Sequence, residues 1–296
     1  MSFTITEAFV QQFGDNIRHL GQQRTSRLSP FVGIESGIVG TSKSSERLAR
    51  TESYQLTNRH GDTQYVGATH SRRWLDLSDW AWSDLVDEMD KIKMLVDPTS
   101  DYAKAAVMAL NRRRDQLIYD AARGNSRSPS GNIALPSGQK IAVGGAGLTL
   151  AKILQAKEIL DAAEVDDEME DDGQSPNMAA KRVMVVTTKQ ITNLLGTTEI
   201  KSVDYNNVKA LAQGQVDTFC GFKFVRADSI VAKVGTDRFC VAWSRGCVNL
   251  GVGMDQMTSI DRLPNKNYSV QVYARQSLGA VRVEDEGVVE IACLES

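Results

Sequence analysis

The sequence predicts a mixed α+β chain in which one long helix acts as a strut and a separate α/β unit follows it. Three observations carry this. Between Asp97-Pro98 and Gly124 lie residues 98–123, with neither glycine nor an interior proline. Residues 149–225 alternate helical and strand-like stretches, ending in buried-looking strands. Residues 33–75 spread five glycines among Ser, Thr and charges and keep no helical period.

Composition sets the outer bounds. The chain has 296 residues, 42% of them apolar and 24% charged, with 34 Lys and Arg against 37 Asp and Glu, a net charge of −3. These values are ordinary for a folded protein and exclude a chain that is disordered or collagen-like throughout. Roughly 100–200 residues per domain implies two structural units or one elaborated unit. The net charge disfavours a dedicated nucleic-acid binder, which would be basic. No run of roughly 18 apolar residues exists, so no transmembrane helix is expected. Glu7 and Asp15 fall where a signal peptide needs an apolar core. Cys220, Cys240, Cys247 and Cys293 lack metal-finger spacing and read as reduced, mostly buried thiols of a cytosolic protein.

Taken in order, residues 6–22 form an amphipathic helix. Phe9, Phe13, Ile17 and Leu20 recur at helical spacing, with Thr6 at the start and Gly21 at the end. Residues 33–75 read as a long two-stranded excursion. Its alternation is in Tyr54 and Leu56, then Val66 and Ala68, around a tip at Asn58 to Asp62. So few apolar groups cannot bury a core, and a lone hairpin is marginal in water, so this arm must rest on another surface. Leu75, Leu77, Trp80 and Trp82 alternate as a half-buried strand, and a short helix is expected from Ser83 with Leu85, Met89, Ile92 and Val96 on one stripe.

The next helix is the clearest. Asp97 is a good N-cap, Pro98 suits the first turn and Gly124 stops it. Its 26 residues would span about 39 Å at roughly 1.5 Å each. Val107, Leu110, Leu117, Ile118 and Ala121 line one stripe, with Arg114 inside it. Residues 125–148 are a polar loop or boundary. Thr149 then caps a helix, Val183 to Val186 is a buried strand, and Thr188 to Leu195 is a helix ended by Gly196. Another helix runs from Asp204 to about Leu211. Strands follow at Phe219–Val225, Phe239–Trp243, Tyr268–Ala274, Ala280–Val283 and Val288–Cys293.

Short motifs give little chemistry. Gly145-Ala146-Gly147 precedes a helix, but Leu150 stands where a dinucleotide fingerprint needs its third glycine. The seven carboxylates within residues 164–172 fail as a calcium loop, since Ala179 falls where a bidentate Glu is required. His19, His60 and His70 belong to no metal or triad pattern. No catalytic, cofactor-binding or metal-ligating residue is assigned. Arg112, Arg113 and Arg114 cannot share a helix face, so they make no phosphate track; Arg114, set in an apolar stripe, needs a carboxylate or carbonyl partner in its own chain or a neighbour's. Charge distribution says more. Residues 1–75 hold nine Lys/Arg and six Asp/Glu (+3), residues 76–97 two and seven (−5), and residues 98–127 six and three (+3). Complementary patches of this kind register a protein–protein contact.

Three long stretches, ITEAFVQQFGDNIRHLGQQRTSRL (5–28), the run from His60 to Asn125 with LVDPTSDYAKAAVMALNRRRDQLIYDAARGN at its end, and RVMVVTTKQITNLLGTTEIKSVDYNNVKALAQGQVDTFCGFKFVRAD (182–228), give the chain a resemblance to the major capsid proteins of tailed bacteriophages. The resemblance implies the Hong Kong 97-like fold, an α+β architecture. Its parts would be an N-terminal arm (1–33), an extended β-hairpin loop (34–75), a peripheral domain (76–140) with a spine helix at 98–123, an α/β axial domain (141–249) and a return through the peripheral domain with a final strand (250–296).

It also implies self-assembly into hexamers and pentamers of an icosahedral shell around double-stranded DNA held non-specifically. A portal is a further partner, there is room for a decoration protein, and no membrane is involved. The chain begins almost directly at the arm, which under this resemblance points to a separate scaffolding protein. Assembly would take place in the bacterial host cytoplasm and the product would reside in the virion capsid. Candidate inter-subunit contacts are Arg72 and Arg73 at the base of the basic loop, meeting Asp76, Asp79, Asp84, Asp87 and Glu88 of an adjacent chain, together with Arg114, Phe9 and Phe13. The alternative reading is a cytosolic α/β enzyme or ligand-binding protein using residues 141–250; missing nucleophile, metal and phosphate signals weigh against it.

Overall fold

The computed structural model describes residues 23–57, 61–63, 65–86, 99–164, 182–196 and 218–295. The expected helices at 6–22 and 204–211 lie outside these residues, as do Phe9, Phe13, Asp87 and Glu88, and all but Glu164 of the acidic run. The chain divides into two units. One comprises Met1–Ser26, Ser78–Arg114 and Met254–Leu278; the other comprises Arg27–Leu77, Asp115–Gly253 and Gly279–Ser296.

The spine helix α1 spans Thr99–Arg123. Its stop at Gly124 is a local signal, so the sequence placed its C-terminal end at Arg123; the expected cap at Asp97-Pro98 lies outside the described residues. Its buried positions are Ala106, Met108, Leu110, Asn111, Asp115, Ile118, Tyr119 and Ala122, while Val107, Leu117 and Ala121 are only half-buried. The buried face is thus rotated from the expected stripe and carries two polar residues. Both are satisfied: Asn111 donates to the Arg24 carbonyl at 2.8 Å, and the Asp115 carboxylate accepts from Arg27 N and Leu28 N at 2.9 and 3.1 Å.

In the first unit, β4 (Ser78–Val86) pairs antiparallel with β14 (Val270–Arg282), from Ser78 opposite Leu278 to Val86 opposite Val270. This corrects the first turn of the helix expected from Ser83; the rest of that stretch, with Met89, Ile92 and Val96, lies outside the described residues. Pairing with β14 satisfies the backbone through Val86, and Leu85 is exposed rather than facing a helix stripe. Trp80 and Trp82 of β4, Ala274 of β14, and Ala106 and Leu110 of α1 pack together, as their alternation predicts for Trp80 and Trp82. Strand β14 is one element where two were expected. Gln276, which divides the apolar runs, is buried inside it and donates to the Leu110 carbonyl at 3.0 Å.

The second unit is built on a sheet with strand order β7 (Lys140–Ile141), β15 (Val288–Leu294), β12 (Asp237–Ser244), β8 (Arg182–Val186), β10 (Phe222–Arg226) and β9 (Thr218–Phe219), with β11 (Lys233–Val234) on β12. Strands covered on both faces read as continuous apolar runs rather than alternating ones. Every residue of β8 is buried. Val183, Val185, Val241 and Trp243 face a core shared with Ile118, Tyr119 and Ala122 of α1. Met184, Val186, Cys240 and Ala242 face the opposite core, closed by Ile153, Ala156 and Leu160 of α2 (Leu150–Ala162) and by Ile191 and Leu194 of α3 (Thr188–Gly196).

A smaller sheet orders β2 (Ser42–Leu48), β3 (His70–Asp76), β5 (Ser126–Ser128) and β6 (Gly131–Ile133). β2 and β3 are the two arms of the expected hairpin, paired from Ser42–Asp76 to Leu48–His70. The alternation read in Tyr54, Leu56, Val66 and Ala68 does not form the ladder; those residues lie in irregular backbone beyond it. The pairing stays at the root because only there do side chains find a core. Strand β13 (Val248–Arg262), which sequence periodicity missed, pairs parallel with β1 (Gly33–Ser36). Its Gly251 hides the strand signal and has a packing reason: a Cβ there would lie 2.7 Å from Ile38 Cδ1 and 2.8 Å from Leu75 Cδ1.

Candidate functional site

The hairpin of β2 and β3 is the feature that the rest of its unit cannot cover, and its root is built from several parts. Leu75 is fully buried with Ile38, Val281 and Val283. Two residues before Leu75 on the same strand, Arg73 points to the interior and pairs with Asp285 at 2.7 Å. The other oxygen of Asp285 accepts from Arg282 Nε at 2.7 Å. Arg282 is fully buried and donates further to the carbonyls of Ala122, Gly124 and Ile133, so it also satisfies the C-terminal end of α1. On the β2 side, Glu35 accepts from Ser45 at 3.1 Å and Asn249 at 2.8 Å and pairs with Lys43 at 2.8 Å. Burial pushes the Glu35 carboxyl up, but these hydrogen bonds and the Lys43 charge outweigh it and hold it below the usual range.

The predicted contact residues separate into distinct settings. Arg72 is exposed, pairs with Glu46 and lies over the Trp74 ring at 5.7 Å. Arg73, on the opposite face of the same strand, is buried, so its charge is neutralised within the chain. Asp76 pairs with Arg127 at 2.7 Å, both half-exposed. Asp79 and Asp84 are exposed on β4, opposite Ser277 and Val272. Arg114 meets Asp255 at 2.6 Å. That hydrogen bond and the Arg114 charge, with the backbone N–H of Gln256 as the larger influence, keep the Asp255 carboxyl low. Arg113 stacks over Trp80 at 3.6 Å. Arg113 and Arg114 therefore have different partners, as their helical spacing requires.

Sequence reasoning missed Arg282, Asp285 and Glu35. Arg282 did leave a signal, an arginine inside the apolar run Ala280–Val283 with a carboxylate three residues on.

The alternative site at the glycine turn is occupied by the protein itself. Gly144 and Gly145 take positive φ, at 54° and 67°. Lys152 Nζ donates to the carbonyls of Val143, Ala146 and Ala292 at 2.7–2.9 Å, and burial depresses its pKa. Leu148 N is capped by Gln190 Oε1 at 2.8 Å. Among the described residues, no group of three or more His, Cys, Asp or Glu is placed to hold a metal, and no helix is long and apolar enough to cross a membrane.

A family model described as phage capsid protein matches residues 5–295. No curated protein matches the chain. Among solved structures, the capsid of cyanophage P-SCSP1u is 16% identical over 99% of this chain and 95% of that one, with a TM-score of 0.70. A structure from Mycobacterium phage Che8 is 17% identical over 96% and 97%, TM-score 0.70. The capsid of Ralstonia phage GP4 is 10% identical over 97% and 96%, TM-score 0.72. At these identities the likeness establishes the fold, and the fold is Hong Kong 97-like.

Proposed function

Because this chain belongs to the phage capsid protein family, and so is a structural protein of a virion shell, we propose that its copies associate as hexamers and pentamers of an icosahedral head enclosing double-stranded DNA. The observation that carries the reading is the hairpin. Its root is fixed in its own unit, while beyond the ladder Leu56 is 80% and Tyr65 93% exposed. Such a segment gains its burial from a neighbour. Contacts of this heterologous kind close into rings by rotation, and rings close into a shell.

The charge pattern supports a specific register. The exposed Arg72 of one copy meets the acidic strand of the next, with Asp79 and Asp84 and the adjoining Asp87 and Glu88. Arg73 takes no part, Asp76 and Arg114 keep their partners within the chain, and Arg72 would exchange its exposed partner Glu46 for the neighbour's carboxylates. A portal and a separate scaffolding protein would act during assembly in the host cytoplasm. A near-neutral net charge is compatible with lining a DNA-filled cavity without gripping it. Reversing Asp84 and Asp87 to Lys is expected to impair assembly with the fold intact. Sedimentation and negative-stain microscopy measure particle yield, circular dichroism measures the fold, and a normal yield refutes the contact.

A further inference from the structure

We propose that the hairpin is held to its own chain by two ionic tiers of unequal salt sensitivity: a permanent pivot at the root and a releasable latch beyond it. The turn Glu284-Asp285-Glu286 supplies both. Its middle carboxylate faces inward, where Arg73 (7% exposed) and Arg282 (0%) share it. Its flanking carboxylates face outward, and both reach Arg47 of β2, at 3.6 and 3.5 Å. Further along, Arg50 pairs with Glu164 at 2.9 Å. These outer pairs line an open groove of about 260 Å³.

Position along the hairpin makes this a lever. Arg73 is opposite Ser45 in the ladder. Arg47 lies two residues further out, about 7 Å at roughly 3.3 Å per residue, and Arg50 further still. The side chains differ in exposure as the proposal needs. Glu286 is 63% exposed, Arg50 67% and Glu164 72%, with Arg47 and Glu284 intermediate at 25% and 39%. Charges this open are screened once the Debye length shrinks from about 8 Å at physiological salt to about 3 Å at 1 M, whereas a buried pair is screened far less. Leu75, buried beside the pivot, is indifferent to salt. High ionic strength therefore frees the outer half of the ladder and leaves the root in place. The device does not depend on which surface of a neighbour receives the hairpin.

Hydrogen exchange on the full-length chain tests this, at 0.05 and 1 M NaCl, for the wild type, the double variant Glu284→Gln/Glu286→Gln, and Asp285→Asn. In the wild type, amides near Arg47–Ala49 and Thr69–Ser71 are expected to exchange about tenfold faster at high salt, the scale set by losing three weak surface pairs. Those near Arg73–Leu75 should not change. The double Gln variant should show the fast outer exchange already at low salt, with little further response. Asp285→Asn should loosen the root at both salts. Salt-independent outer exchange in the wild type, or root and outer amides rising together, would overturn the proposal; both readings survive an Asp285→Asn chain that fails to fold, because the wild type and the Gln variant decide them.

Discussion

Truncating Leu75 to Ala is expected to weaken the hairpin root more than most core truncations would. Leu75 is fully buried, and two glycines make its socket: Gly251, where a Cβ would crowd Leu75 and Ile38, and Gly279, where a Cβ would fall 3.0 Å from Leu75 Cδ2. Leu→Ala costs about 2–5 kcal/mol, the spread reflecting how far the site collapses. Here two walls are strand backbone, in β13 and β14, which the ladder holds in place. Collapse is poor, so the loss belongs in the upper half, about 3–5 kcal/mol.

The converse change, Gly251→Ala, overpacks the same space and should cost about 1–3 kcal/mol. In the double variant the new methyl at 251 enters the volume that Leu75 has left, so the two losses should fall short of their sum by at least about 1 kcal/mol. Urea denaturation followed by tryptophan fluorescence measures all three, at protein concentrations where sedimentation detects no particles. Strict additivity, or a Leu75→Ala loss under about 1 kcal/mol, would refute the packing account.

Two further outcomes are expected. Glu35 has its folded pKa held below the ordinary 4.5. Between those two values the unfolded chain binds more protons, so the contribution of Glu35 is complete above about 4.5 and is lost as pH falls through the folded value. Urea midpoints between pH 6 and 3 should therefore drop less for Glu35→Gln than for the wild type; parallel curves would count against the assignment. Arg282→Met should destabilise by about 3–5 kcal/mol, because Asp285 and three carbonyls lose a buried donor together, and a urea midpoint near the wild-type value would show that the triad is dispensable.

Legibility followed locality. The C-terminal end of α1 was readable because Gly124 acts within a turn of the helix. The cap at Thr149, which accepts from Lys152 N at 3.5 Å, and the run Val183–Val186 were readable for the same reason. Strand β13 was not, since Gly251 is explained only by Leu75 and Ile38, far away in sequence. The continuation of β4 through Val86 and the joining of two runs into β14 were set by each strand's partner. At the candidate site, the need of Arg114 for a carboxylate or carbonyl partner was legible, but its identity as Asp255, 141 residues on, was not. Arg72 and Arg73 were read alike, both as contacts for a neighbour; that Arg73 turns inward was decided by Asp285, 212 residues on.

By itself the sequence determined that this chain has a strut helix, an α/β unit and an arm too poor in apolar groups to stand alone. Those properties are additive over neighbouring residues. The tertiary structure decided which charges are paired deep inside the chain and which stay exposed. A guanidinium's fate depends on whether burial delivers a carboxylate within about 3 Å, and that distance belongs to the fold rather than to any segment of it.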